Sequence, residues 1–142
     1  MKKIFLILAI GSTTLIANAQ KMKEADVPAE VKTAFAKQYP SVSNAKWEKE
    51  DGKYEAAFEL KKEELSVLID DTGKILETES EIAVSALPKV ISEYCAKNYS
   101  GKKIAEASKI VDFEGSVTYE AEINKMDVLF DANGKFIKES KD

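Results

Sequence analysis

The sequence predicts an α+β fold in which a helix followed by four antiparallel strands occurs twice, with the helices packed on one face of the sheet. Two copies are indicated by an internal similarity with a period of about 60 residues. After each predicted helix, the spacing of apolar residues changes from the helical period of about 3.6 to the strand period of about 2. Turns of two to four residues leave no room for parallel crossovers, which favours antiparallel strands.

The chain begins with residues typical of a secretory signal peptide. Lys2 and Lys3 precede an apolar run from Ile4 to Ile16, and Ala17-Asn18-Ala19 supplies small residues for cleavage. The run has 13 residues, fewer than the roughly 20 that cross a membrane as a helix. We therefore expect residues 1–19 to be removed after Ala19, which leaves a periplasmic or secreted protein without a stable membrane anchor.

Composition restricts the chemistry of the chain. The 142 residues carry a net charge of -4; without Lys2 and Lys3, 19 lysines remain against 25 acidic residues, which gives -6. All 21 basic residues are lysines, so the guanidinium group that recognises guanine and phosphate bidentately is absent from the sequence. Histidine is absent too, and with it the usual general base and zinc ligand. We expect no nucleic-acid partner, no cofactor, no metal and no enzymatic activity.

The helix of each copy is marked by a proline and by one apolar face. The first begins at Val27-Pro28 and the second at Leu87-Pro88, where proline suits the first turn because its missing N–H would have no partner there. Pro40 and Gly101 are expected to end them. The apolar residues lie on one helical face, at positions 27, 31, 34, 35 and 39 and at positions 87, 91, 94, 95 and 99.

The strands that follow also match between the copies. Residues 54–58, Tyr-Glu-Ala-Ala-Phe, correspond to residues 119–123, Tyr-Glu-Ala-Glu-Ile. Residues 65–70 correspond to residues 126–131 at an offset of 61. Strand and turn signals therefore recur in the same order in both copies.

Turn residues and length define the expected organisation. Asp, Asn and Gly separate the strands at 51–52, 71–74, 114–115 and 131–135. We expect copies at 20–80 and 81–142, with residues 79–86 as the connector. Because a unit of about 60 residues buries only about 60% of its unfolded surface, we expect the two copies to share one compact unit.

The pattern resembles the PepSY-like domains, also described as beta-lactamase-inhibitor-like, which occur as tandem copies in small exported bacterial proteins. The resemblance covers most of residues 27–139 and includes Val27-Pro28 with Val31, Phe35 and Tyr39-Pro40, Lys46-Trp47-Glu48, Gly52 with Tyr54-Glu55-Ala56, and Val67-Leu68-Ile69-Asp70 before Gly73-Lys74. The second copy departs from it at Cys95 and Ser100 and lacks the tryptophan. The resemblance implies an exported, non-enzymatic module that binds another protein and, in some relatives, inhibits it. It supplies no catalytic residues.

Two individual residues allow a functional and a structural interpretation. Cys95 is either a reactive thiol or half of an intermolecular disulfide, or else a small buried hydrophobe; it replaces Phe35 on the apolar helix face, which favours burial. Trp47 is either an anchor for a partner or part of the core, and its alternation with Ala45 favours the core.

Two short motifs are also ambiguous. The Asp-rich segments 70–73 and 131–134 resemble parts of a calcium loop, but they lack its glutamate at the twelfth position, so turns explain them better. Ser43 with Lys46 and Ser100 with Lys103 match the serine–lysine spacing of penicillin-recognising enzymes. With so many lysines in the chain, chance explains this spacing.

One strand face combines acidic residues with two leucines: Glu48, Glu55, Glu59, Leu68, Glu120, Glu122, Asp127 and Leu129. If the helices cover only the other face, we expect this one to be exposed. It would suit a basic protein partner, through charge steering and apolar contact, while an ordinary solvated face is the simpler alternative. The sequence thus favours an exported protein-binding module that inhibits or regulates an envelope enzyme. The alternative is a structural or assembly component of an envelope complex, and the oligomeric state stays open.

Overall fold

The computed structural model describes residues 20–141, in which the backbone forms nine strands and two α-helices. The predicted leader, residues 1–19, lies outside the described residues. Within residues 20–141, no helix has both the length and the apolar character required to span a membrane. The chain divides into two units between Thr78 and Glu79.

The first unit contains one helix and a sheet whose first four strands pair in chain order. Its elements are β1 (Gln20–Met22), a 3-10 turn (Glu24–Asp26), α1 (Ala29–Gln38), β2 (Lys46–Glu50), β3 (Lys53–Leu60), β4 (Glu63–Ile69) and the first half of β5 (Ile75–Ile82). Strands β1 to β4 are antiparallel to their neighbours. In the central register Trp47 lies opposite Ala56, which in turn lies opposite Val67.

The second unit repeats this plan. After the second half of β5 come a 3-10 turn (Val84–Ala86), α2 (Lys89–Asn98), β6 (Glu106–Asp112), β7 (Val117–Glu122), β8 (Met126–Asp131) and β9 (Phe136–Lys141). Ala107, Ala121 and Val128 hold the positions of Trp47, Ala56 and Val67. A register shift at Leu129/Phe130 marks a bulge between β8 and β9.

Both helices begin directly after a proline and end before a tyrosine. The carbonyl of Pro28 accepts a bond from Lys32 N–H, and the N–H of Tyr39 donates to the carbonyl of Phe35 at 2.8 Å. The proline therefore lies one position before the helix, where no N–H is required. The buried face of α1 packs on Trp47, Ala56 and other apolar residues of its sheet, and α2 packs on its own sheet in the same way.

The antiparallel α+β class is confirmed, but the copies are not an exact repeat of a helix and four strands. The short strand β1 precedes α1 and pairs with β2, from Gln20 opposite Lys49 to Met22 opposite Trp47. The predicted connector is also wrong in its first half, because residues 79–82 belong to β5. This acidic segment has no apolar alternation, yet a strand is held by its backbone hydrogen bonds, which do not depend on that pattern.

Each unit has its own cluster of buried apolar residues. Trp47, 4% exposed, and Cys95, 3% exposed, belong to these clusters, so the structural interpretation of both residues is confirmed. Burial raises the pKa of the Cys95 thiol, which lowers its reactivity as a nucleophile.

Candidate functional site

The sheet face opposite α1 is centred on Glu55 in the middle of β3. Because side chains alternate along a strand, Tyr54, Ala56 and Phe58 join the core while Glu55 points to the other face. In the register, Glu55 lies between Glu48 on β2 and Leu68 on β4. The sequence prediction of a combined acidic and apolar row is confirmed for these three residues.

Glu55 is a buried carboxyl with incomplete hydrogen bonding. It is 6% exposed, and neither its Oε1 atom nor the Oγ atom of Ser66 has a hydrogen-bond partner. The pKa of Glu55 is raised to about 7, chiefly by burial; the nearby Ser66 hydroxyl lowers it, and the charges of Glu48 and Glu50 add to the rise. A substantial fraction of this carboxyl is therefore protonated at neutral pH.

The second unit carries a comparable row. Glu120 on β7 lies between Ser108 on β6 and Leu129 on β8, and all three side chains are buried. In a neighbouring row, Glu122 lies opposite Asp127. A glutamate directly opposite a leucine at the centre of this face is therefore common to both copies.

The expectation that this face is exposed is wrong for five of its eight residues. Five are buried: Glu55, Leu68, Glu120, Asp127 and Leu129. Each lies on an inner strand directly opposite a side chain of a neighbouring strand, and such pairs shield one another from water.

The other three acids stay accessible. Glu48 and Glu122 are half-buried, and Glu59 is exposed near the end of β3, opposite Glu64. In each unit this face thus has a buried glutamate and a buried leucine at its centre, with accessible acids nearer the strand ends or, in the first unit, on β2.

The Asp-rich segments are turns held together by their own carboxylates. The Oδ1 atom of Asp70 accepts bonds from the N–H groups of Thr72 and Lys74, each at 2.9 Å. Asp131 does the same for Asn133 and Lys135. This supports the turn interpretation over the calcium loop. In the part of the chain that the structure describes, no three His, Cys, Asp or Glu side chains are grouped to hold a metal ion.

A third turn of this kind joins β6 and β7 and includes the predicted turn residues 114–115, but the role of Asp112 and the extra length of the hairpin were not recognised from the sequence. Asp112 accepts bonds from Glu114 N–H and Ser116 N–H, and Phe113 at its tip is 58% exposed. The signal was present in the sequence, since the offset between the copies rises from 60 in the helices to 65 at Tyr54 and Tyr119. A rise of five residues marks an insertion at this hairpin.

Solved structures share this fold at low sequence identity. A protein described as a "putative periplasmic" protein of Bacteroides eggerthii has a TM-score of 0.72 and 16% identity, covering 80% of this chain and 88% of its own. A DUF2874 family protein of Bacteroides uniformis has a TM-score of 0.70, 19% identity and the same coverages. A BLIP-like protein of Bacteroides fragilis has a TM-score of 0.59 and 21% identity, covering 80% and 84%. No curated protein matches the chain.

The family model described as "putative beta-lactamase-inhibitor-like, PepSY-like" matches the sequence twice. The two matches cover residues 14–77 and 70–138, one for each copy of the repeated pattern. The chain therefore belongs to the PepSY-like, beta-lactamase-inhibitor-like family and carries two tandem copies of its domain.

Proposed function

We propose that this chain is an exported, non-enzymatic module that binds and thereby inhibits or regulates an enzyme of the cell envelope. The observation that carries the proposal is the match of a beta-lactamase-inhibitor-like family to both copies. The likeness in fold to a protein named BLIP-like supports it. Fold alone does not imply function, so the proposal must be tested by binding.

The accessible acids are the residues that we assign to partner contact. Glu48, Glu59 and Glu122 retain contact with water, whereas Glu55, Leu68, Glu120 and Leu129 support the face from within. The predicted mature chain has a charge of -6, which favours the approach of a basic protein. Nucleic acid has the wrong charge for this surface.

The proposal includes export to the periplasm or beyond it, with cleavage after Ala19. The name of the Bacteroides eggerthii protein supports this compartment. The test is the intact mass of the protein purified from cell envelope and medium. A chain beginning at Gln20 is expected; a chain that keeps its leader would contradict the cleavage.

Function is tested by affinity capture from an envelope extract, with washes at low and near-physiological salt. We expect one enzyme at one-to-one stoichiometry at the higher salt, with altered activity when bound. Glu59→Lys should weaken capture, whereas Glu30→Lys, a matched reversal on the exposed side of α1, should not. Recovery of only itself or of a large complex would favour the assembly role, and recovery of nothing specific would contradict binding.

The family description also suggests a direct assay. Purified beta-lactamases, titrated with the exported protein, should lose hydrolytic activity in a saturable manner if one of them is the target. Inhibition that Glu59→Lys and Glu30→Lys affect equally would contradict the assignment of the acidic residues.

A further inference from the structure

Glu48 and Glu55 form a pair of carboxyl groups that face each other across β2 and β3. They lie directly opposite in the register, and such side chains point to the same face with Cβ atoms about 5 Å apart. Like charges in this arrangement repel each other. At the equivalent position of the second unit, Ser108 lies opposite Glu120. The carboxyl pair at the centre of the face is therefore a property of the first unit.

The two members of the carboxyl pair differ in their access to water. Glu48 is half-buried on β2 and can be reached from solvent. Glu55 is 6% exposed, its Oε1 atom has no hydrogen-bond partner, and its neighbour on the other side is the apolar Leu68. Because ionisation of a carboxyl in such surroundings loses hydration, the fold favours a proton on Glu55. Glu48 stays open to contact.

The residues directly opposite Glu55 give its ionised form no cation. They are Glu48 on β2 and Leu68 on β4. Burial raises the pKa of Glu55 most, the Ser66 hydroxyl lowers it, and the charges of Glu48 and Glu50 raise it. The proton is therefore what neutralises this carboxyl in the free chain.

The other charged residues of the neighbouring strands face different groups. Lys46 lies at the start of β2, opposite a residue two positions beyond Glu55. Lys53 lies directly opposite Glu50, and the carboxylate of Asp70 accepts two amide bonds within its own turn. A cation beside both members of the carboxyl pair would therefore have to be brought by a partner.

We propose that the carboxyl pair makes partner binding proton-linked: a lysine or arginine of the partner contacts Glu48, lies beside Glu55 and displaces the proton of Glu55 into solvent. A cation within about 4–6 Å of a carboxyl favours its ionised form. The buried glutamate thus regulates a contact that its accessible neighbour makes. This inference rests on the proposed function, adds its regulation, and keeps the basic partner expected there.

The direction of the pH effect follows from the proton balance. In the free chain the pKa of Glu55 is about 7, and the partner's cation lowers it in the complex. The complex then binds fewer protons than the free chain below about pH 7, so the affinity falls as the pH is lowered. A pKa that falls by about one to two makes binding about tenfold weaker at about pH 5.5 than at about pH 7.5.

A short lysine peptide tests the linkage without the natural partner. Pentalysine is the probe, and carboxyl NMR signals of the exported protein labelled in its glutamates report on Glu48 and Glu55. Saturating peptide should perturb the Glu48 signal and move the titration midpoint of Glu55 to lower pH. Glu48→Gln should abolish most of this movement. Glu30→Gln, a matched change at an exposed position of α1, should leave it unchanged.

The affinity for the peptide gives the size of the effect. The fluorescence of Trp47, next to Glu48 in sequence, follows binding. Binding to the wild type should be about tenfold weaker at about pH 5.5 than at about pH 7.5. Glu55→Gln should bind equally at both pH values, because an amide at this position neither takes up nor releases the proton. Glu30→Gln should keep the wild-type difference.

The outcomes separate the linkage from the binding function. Peptide that perturbs Glu48 without moving the Glu55 midpoint would overturn the linkage and keep Glu48 as a contact. The same pH dependence in Glu55→Gln would assign it to another group and overturn the linkage as well. A Glu48 signal that saturating peptide leaves unchanged would overturn the whole inference, and capture from envelope extract would still decide the proposed function on its own.

Discussion

The two units build the same backbone with aromatic side chains in different places. In the first, Phe35 on α1 contacts Trp47 and Phe58 on β2 and β3, with ring centroids 5.2 Å apart in both pairs. The second has Cys95, Ala107 and Ile123 at these positions. Its rings come instead from Tyr94 on α2 and from Phe130 and Phe136 on β8 and β9, with centroid distances of 5.4 to 6.3 Å.

The exchange is reciprocal, because the positions that hold rings in the second unit hold aliphatic residues in the first: Ala34, Ile69 and Ile75. The ring of α1 is at position 35, which corresponds to position 95, but the ring of α2 is at position 94. This shift by one residue turns the ring by about 100° around the helix axis. It then packs towards the last strands of the unit. The comparison teaches that this fold requires a filled volume between helix and sheet, with freedom in which residues fill it.

The copies also differ in which hairpin is long. The paired Ala56 and Val67 are eleven positions apart in the first unit, and their counterparts Ala121 and Val128 are seven positions apart. In contrast, the β6–β7 hairpin of the second unit is longer than the equivalent β2–β3 hairpin of the first. The chain thus varies the ends of its strands while the central pairs keep their partners.

The largest expected effect tests the aromatic difference. Phe35→Ala should lower the free energy of unfolding of the first unit by about 4 kcal/mol, since it empties the centre of three ring contacts. Cys95→Ala, the matched change in the second unit, should cost about 1 kcal/mol. Urea unfolding followed by the fluorescence of Trp47, the only tryptophan, reports the first unit, and circular dichroism reports both. Equal losses would contradict the comparison.

The next effect concerns the buried acid of the first unit. The pKa of Glu55 is about 7 in the folded chain against an ordinary 4.5, so the folded state binds this proton more tightly than the unfolded state. The contribution of Glu55 to stability is therefore greatest below pH 4.5 and falls as the pH rises to 7, by about 3 kcal/mol in total.

Urea unfolding at a series of pH values measures this loss. Glu55→Gln should remove the slope between pH 4.5 and 7, while Glu59→Gln, at an exposed position of the same strand, should keep it. A slope that Glu55→Gln leaves unchanged would show that another group is responsible.

A third, smaller effect tests how closely α2 lies against its turn. Gly134 has φ +78°, and a Cβ atom there would overlap with Val90 Cγ1. Gly52 has φ +77° with no atom within 4 Å. Both alanine variants incur backbone strain, and Gly134→Ala should cost about 2 kcal/mol more because Val90 must also move. Equal thermal stabilities of the two variants would contradict this packing.

The smallest effect should be stabilising. Lys61 and Lys62 form the β3–β4 turn at φ +54° and +70°, a conformation that lysine adopts at a cost and that Asn-Gly prefers. Lys61→Asn with Lys62→Gly should raise stability by about 1 kcal/mol. Lys125→Gly, which relieves one residue in the equivalent turn of the second unit, should raise it by less. Calorimetry of the three proteins would check this order.

The helices, strands and turns were predictable because their signals are local. Proline before α1 and α2, the spacing of Val31 and Phe35, and the alternation around Tyr54 need only neighbouring residues to be interpreted. β1 was missed because three residues carry too little pattern. Residues 79–82 were missed because an acidic strand has no apolar alternation.

The site was only partly predictable. The sequence identified the row of Glu48, Glu55 and Leu68, and the repeat offset of 65 contained the signal for the Phe113 hairpin. The solvent exposure of these side chains could not be predicted from the sequence. It depends on which side chains lie opposite one another on adjacent strands, often many positions away in sequence.

By itself, then, the sequence determined the family, the doubling of the domain and the order of its elements, because periodicity and turn chemistry act over a few residues. Only the tertiary structure decided that Glu55 and Glu120 are buried, that Trp47 and Cys95 belong to the core, and that Phe113 stands at an exposed tip. Burial is a property of the neighbours that folding brings together, and desolvation then determines which of the acids keep their ordinary charge.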